Sequence, residues 1–122
     1  MRKVRLQFCR QKEVVKLPYY RKILCALENY FAEENWKNKF LTGGCYWLAN
    51  ILHQGIKDSV IMINRIEEHC ALYFESGLYD VRGRISARNF HAASEREISF
   101  MKKNYIPKFD KNCLEEFIRN TV

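Results

Sequence analysis

The sequence predicts an α+β fold: helices packed on a small, mainly antiparallel sheet. Three observations carry the prediction. Ile23, Leu24, Leu27, Tyr30 and Phe31 recur at helical spacing. Residues 45–53 form a short segment with apolar residues on most sides, the pattern of a central buried helix. Val60, Ile61, Met62 and Ile63 form a β-branched run, followed by two further short apolar runs.

The elements follow in order. Val4, Leu6 and Phe8 alternate with Arg5 and Gln7, which predicts a half-buried first strand. Pro18 is expected at the start of the first helix, where its missing N–H costs nothing, and that helix runs to about Glu34. Residues 33–39 are a polar break from which Trp36 and Phe40 tuck into the core. The central helix starts at Cys45 and stops near Gly55. After the strand at 60–63, Glu67 and Glu68 turn the chain, and residues 69–74 and 78–81 form a hairpin around Ser76 and Gly77. Residues 83–93 read as a loop. Ser94 and Glu97 make a capping box for a helix to about Asn104. Pro107 separates it from a last helix after Asp110, carrying Leu114, Phe117 and Ile118.

At 122 residues the chain is expected to be one domain, residues 1–122. Hydrophobic residues make up 48% and charged residues 29%, the balance of a globular domain with its own core. No apolar run approaches the ~18 residues of a membrane span, so no membrane partner is expected. The N-terminus has basic residues but no apolar signal core. With five scattered cysteines (Cys9, Cys25, Cys45, Cys70 and Cys113), a reducing cytoplasm is the expected compartment. Cys9, Cys25, Cys70 and Cys113 read as small core hydrophobes. His53, His69 and His91 make no zinc spacing with the cysteines, so neither metal nor cofactor is expected. The net charge of +7 comes from dispersed basic residues without a nucleic-acid motif. A solvated basic surface is therefore preferred to a nucleic-acid site.

The chemistry is read from the segment Thr42-Gly43-Gly44-Cys45-Tyr46-Trp47. It puts a cysteine at a helix start, where the partial positive charge favours thiolate. His69 follows on a strand and Asp80 on the next. An imidazolium stabilises the thiolate and later protonates the leaving group, and a carboxylate fixes the ring's tautomer and orientation. Gly43 and Gly44 are expected to clear space for a substrate backbone. Tyr46 and Trp47, with Tyr79, are candidate cleft residues. His91 is the reserve if His69 points away.

The hairpin register bears on this trio. A two-residue loop at Ser76 and Gly77 pairs Tyr73 with Asp80 and sets Asp80 on the face of His69. A three-residue loop, Glu75 to Gly77, pairs Leu72 with Asp80 and puts it on the other face. Even the favourable register leaves His69 four residues away along its strand, a gap that twist or a bulge must close.

Gly-Cys-Tyr-x-Leu-Ala at 44–49 and His-x-x-x-Tyr-Phe-x-x-Gly-x-Tyr-Asp-x-x-Gly at 69–83 resemble the papain-like and transglutaminase-like cysteine superfamily, in particular its small bacterial and phage members. The resemblance spans residues 43 to 83. It implies a nucleophilic cysteine at the start of a central helix packed on an antiparallel sheet, histidine on one strand and an orienting aspartate on the next. Those roles fall on Cys45, His69 and Asp80. One departure is plain: papain-type proteases carry an oxyanion-binding glutamine six residues before the cysteine, and Lys39 stands there. The Cys45 backbone N–H and the Asn38 side chain are the alternative oxyanion donors. The expectation is a thiol hydrolase or acyltransferase acting on a peptide, isopeptide or other amide through an acyl-enzyme. The alternative is an inactive papain-like module whose basic surface holds an acidic protein or nucleic acid.

Overall fold

The structure, a computed structural model, describes the backbone of residues 2–122 and the side chains of residues 16–122. The element order is α1 (Arg2–Phe31), a 3₁₀ turn (Trp36–Phe40), α2 (Cys45–Gly55), β1 (Val60–Asn64), β2 (His69–Phe74), β3 (Gly77–Asp80), β4 (Gly83–Ile85), β5 (His91–Ala92), α3 (Glu95–Asn104) and α4 (Lys111–Thr121). The fold is α+β, with a wholly antiparallel five-stranded sheet in the order β4-β3-β2-β1-β5.

α2 is the central helix. Cys45, Tyr46, Trp47, Leu48, Ala49 and Leu52 are all buried on it, and it packs against β1, β2 and β3. Ile61 pairs with Leu72 and Ile63 with Cys70. Paired residues share a face, and these four join the core with Ile23 and Leu27 of α1, Leu48 and Leu52 of α2, Met101 of α3 and Leu114 of α4. Trp36 and Phe40 are buried from the 3₁₀ turn, as the sequence predicts. Ser94 caps α3 with both bonds of the capping box present. Asp110 caps α4 by accepting from the N–H groups of Asn112 and Cys113. Among the described residues, no helix is long and apolar enough to cross a membrane.

Several expectations need correction. The strand expected at Val4, Leu6 and Phe8 is instead the start of α1; the side chains behind that expectation lie outside the described residues, as does that of Cys9. Alternation over five residues is weak evidence beside a helix that continues for several turns, since Val4 and Phe8 are also one helical turn apart. Pro18 sits inside α1 and not at its start. It forfeits one helical N–H bond there, a loss that the packing of Tyr20, Ile23 and Leu27 outweighs. The helix stops at Phe31, where Ala32 turns left-handed with φ of 49°. Cys25 and Cys113 are exposed free thiols, not core residues. Residues 83–93 hold two strands of three and two residues, β4 and β5, too short for any periodicity to announce.

Candidate active site

The β2–β3 hairpin pairs Leu72 with Tyr79, Tyr73 with Leu78 and Phe74 with Gly77. Its two-residue loop is therefore Glu75-Ser76, one residue earlier than the sequence suggests. Both loop residues have positive φ, 49° and 63°, the signature of a type I′ turn. The change moves every pair by two, so faces are kept. Continuing the register sets Asp80 opposite Ala71, with His69 its diagonal neighbour on the same face. The four-residue gap is thereby halved, without a bulge.

His69 Nε2 lies 2.8 Å from Asp80 Oδ2. Both side chains are buried. Asp80 also organises the next turn: its Oδ1 accepts the Arg82 backbone N–H at 2.8 Å. Its Oδ2 takes the Arg82 guanidinium through Nη2 at 2.6 Å and Nε at 3.0 Å. The Tyr20 hydroxyl of α1 donates to the Asp80 carbonyl. Asp80 is thus held through its backbone by α1 and through its carboxylate by the β3–β4 turn and the His69 ring.

Burial opposes ionisation of Asp80, but the hydrogen bonds from His69 and Arg82 outweigh it and hold its carboxyl below the usual range. Burial likewise opposes a charge on His69. The bonds to Asp80 and to Cys45 prevail, and the imidazole is raised to about 9. Cys45 is therefore near enough to the ring to act on it. With Nε2 committed to Asp80, Nδ1 is the nitrogen left for the thiol. Cys70, the next residue of β2, is pushed up by burial first and then by the charge of Cys45. The start of α2 thus faces the start of β2. Asn64, opposite His69, accepts from the N–H groups of Ile66 and Glu67 and shapes the turn that delivers the histidine.

The helix start is bare. Gly44 is its N-cap and supplies no side-chain bond, so the first N–H groups of α2, that of Cys45 foremost, have no intrahelical partner. The two glycines also allow close packing within the chain. A Cβ on Gly43, where φ is 102°, would come within 2.6 Å of the Ile106 carbonyl oxygen, and one on Gly44 within 2.4 Å of that of Lys39. The close approach that this structure shows is to the chain's own backbone. Asn38 is exposed on the 3₁₀ turn, and none of its interactions among the described residues reaches Cys45, His69 or Asp80. Its backbone carbonyl accepts from Thr42 instead. Lys39, at the glutamine position, turns to Glu33 at 3.2 Å. His91 sits in β5, paired with Ile63, and its ring is bonded to Glu97.

Tyr46 and Trp47 are buried, and Trp47 Nε1 donates to Glu115 at 2.8 Å. Both still border a concavity of about 270 Å³ shared with Lys102, Tyr105 and Lys111. Tyr79 is half-buried; it stacks on Phe74 and borders the small concavity that Cys45, Cys70 and Asp80 also line. Tyr105 was not singled out by sequence. It also borders a second concavity, of about 550 Å³, with Ile63, Glu68 and Phe100. Its hydroxyl is pushed up to about 12, by burial first and then by Cys45. Arg82, too, is a residue that sequence reasoning counted only as surface charge; its place two residues after Asp80, in a turn, was the available signal.

No curated protein and no solved structure matches this chain. One family model does, that of the phage YunG-like protein, over residues 23–119. That stretch contains α2, the hairpin and all three residues of the trio, and the chain belongs to the phage YunG-like protein family.

Proposed function

We propose that this protein is a papain-like cysteine hydrolase acting on an amide bond. The observation that carries the reading is the buried 2.8 Å contact between Asp80 and His69, with Cys45 at the open N-terminus of α2 beside the same ring. In the reaction, the Cys45 sulfur forms a bond to the carbonyl carbon while the C–N bond breaks. His69 gives its proton to the departing amine. Water then adds to the thioester carbon and loses a proton to His69; the C–S bond breaks, restoring the thiol and releasing the acid. Transfer to a second amine in place of water would make the same site an acyltransferase. This reading assigns the Cys45 N–H, which has no intrahelical partner, as a donor to the oxyanion. The free, exposed thiols of Cys25 and Cys113 fit a reducing, cytoplasmic setting.

A second reading has one observation in its favour: Cys45 is only 3% exposed. A module that kept the fold and lost the chemistry would tolerate such a thiol, with its basic surface left to hold an acidic protein or nucleic acid.

Iodoacetamide labelling of each cysteine as a function of pH, read by peptide mass spectrometry, separates the two. The hydrolase reading expects Cys45 to react below pH 7 faster than the exposed Cys25 and Cys113, and His69→Ala to slow it by about 10²-fold or more. A Cys45 that is slower than both exposed thiols, and indifferent to His69→Ala, rejects it.

A further inference from the structure

The two concavities are walled by chain neighbours of the proposed catalytic residues, and neither is lined by Cys45 or His69 itself. The larger is bordered by Glu68, the residue before His69. The smaller is bordered by Tyr46, the residue after Cys45. Tyr105 stands in the wall of both. In acyl transfer the amine departs on the side of the histidine that protonates it, and the acyl half stays with the cysteine. The smaller concavity is then the acyl side.

The charges there are unequal. Lys102 and Lys111 line the smaller concavity with a single carboxylate, Glu115, and that carboxylate accepts from Trp47 Nε1. Among the described residues the ion pairs are Lys39–Glu33, His69–Asp80, Arg82–Asp80 and His91–Glu97, so neither lysine is neutralised by an ion pair. The larger concavity balances Arg65 and Arg96 against Glu68 and Glu97. A surplus of cations in a concave site raises the local concentration of anionic substrate. The surrounding Tyr46, Trp47 and Pro107 offer apolar walls for a side chain's stem.

We propose that the substrate is a peptide whose acyl half carries an acidic side chain, held by Lys102 and Lys111. The proposal rests on the hydrolase reading, since an acyl side exists only if the Cys45 thiol attacks an acyl carbon.

The test uses the full chain and two N-acetyl tripeptide vinyl sulfones, identical except for a central glutamate or lysine. Labelling of Cys45 is followed by mass spectrometry, and each rate is divided by the same protein's iodoacetamide rate at Cys45. The glutamate probe should label about tenfold faster than the lysine probe at low salt, and the difference should shrink as salt is raised. Lys102→Glu combined with Lys111→Glu should invert the preference. Arg65→Glu combined with Arg96→Glu, on the leaving side that these probes do not enter, should change it less. Equal rates for the two probes, or a preference governed by the arginine pair, would overturn the proposal. So would equal suppression of both probes by a single-stranded oligonucleotide, which would give the lysines to nucleic acid. A slow iodoacetamide reaction at Cys45 would instead reject the hydrolase reading itself.

Discussion

Asp80 carries more of the site than any other residue. Its side chain is almost fully buried, yet it accepts from a backbone N–H, a guanidinium and an imidazole at once. Each accepted bond favours the carboxylate, and the carboxylate in turn keeps His69 charged. Asp80→Asn should therefore slow Cys45 alkylation at pH 6.5 by about 10²-fold or more. It should also destabilise the fold by about 3 kcal/mol, because the buried ring and the Arg82 contacts lose their anion. A change in the alkylation rate below about threefold would remove Asp80 from any positioning role. The pH dependence has a definite sign. His69 is raised to about 9 in the folded protein, above its ordinary 6.5. Its contribution to stability is complete below pH 6.5 and is lost as the pH climbs through 9; at most it is on the order of 3 kcal/mol. The urea midpoint of the wild-type protein should fall between pH 6.5 and 9.5, and His69→Gln should flatten that limb. The trio was legible in the sequence because each member has a distinct chemistry and a distinct place on a helix or strand. Arg82 and Tyr20 were not, because an arginine in a turn and a tyrosine on an apolar stripe have commoner reasons to be there. Only the folded chain brings Tyr20 to a residue sixty positions away.

At the scale of elements, the hairpin shows why a face can be read more securely than a register. The sequence suggests a loop at Ser76-Gly77 because glycine adopts positive φ most easily. The chain instead places Glu75 and Ser76 there, both left-handed, and uses Gly77 as a strand residue. A Cβ at Gly77 would lie 2.9 Å from the Tyr79 ring and 3.1 Å from Arg84 Nε. The space that glycine leaves is taken by the Phe74–Tyr79 stack and the side chain crossing it. Both loops contain two residues, so parity survives and Asp80 stays on the face of His69. A left-handed serine is strained by about 1 kcal/mol or more relative to glycine. Ser76→Gly should then raise stability by about 0.5 kcal/mol in a urea titration, with Cys45 reactivity unaltered. A loss of stability there would mean that the serine contributes a bond outweighing its strain. The helices α3 and α4 were legible for a related reason: a capping residue and an apolar period agree at each. The N-terminal strand and the helix start at Pro18 were misread because five alternating residues and one proline are local signals, and α1 is fixed by contacts over its whole second half.

For the whole molecule, the start of α2 is held by segments far from it in sequence. The Gly44 N–H donates to Lys39 of the 3₁₀ turn at 3.1 Å. Gly43 lies against the Ile106 carbonyl, between α3 and α4, and Phe109 approaches Gly44. Trp47 is tied to Glu115 of α4. The position of Cys45 therefore depends on the C-terminal third of the chain as much as on its own helix. No local pattern could announce this, because two adjacent glycines before a cysteine look the same whether they admit a substrate or the chain's own backbone. Substitution separates these purposes. Were Gly43 kept for substrate, Gly43→Ala would spare stability and impair only reactions with large substrates. The structure expects the reverse order of effects. A Cβ at Gly43 meets a backbone carbonyl at 2.6 Å, and an L-residue is strained at a φ of 102°. Neither problem is relieved by moving a side chain. Gly43→Ala should cost about 2 kcal/mol or more and should slow even iodoacetamide at Cys45, a reagent too small to need a cleft. Ser94→Ala is the comparison. It removes a helix cap at a cost of about 1 kcal/mol but touches nothing at the start of α2, so Cys45 should react at the wild-type rate. If Gly43→Ala proved as stable as wild type, the C-terminal segments would be packed beside Cys45 without holding it.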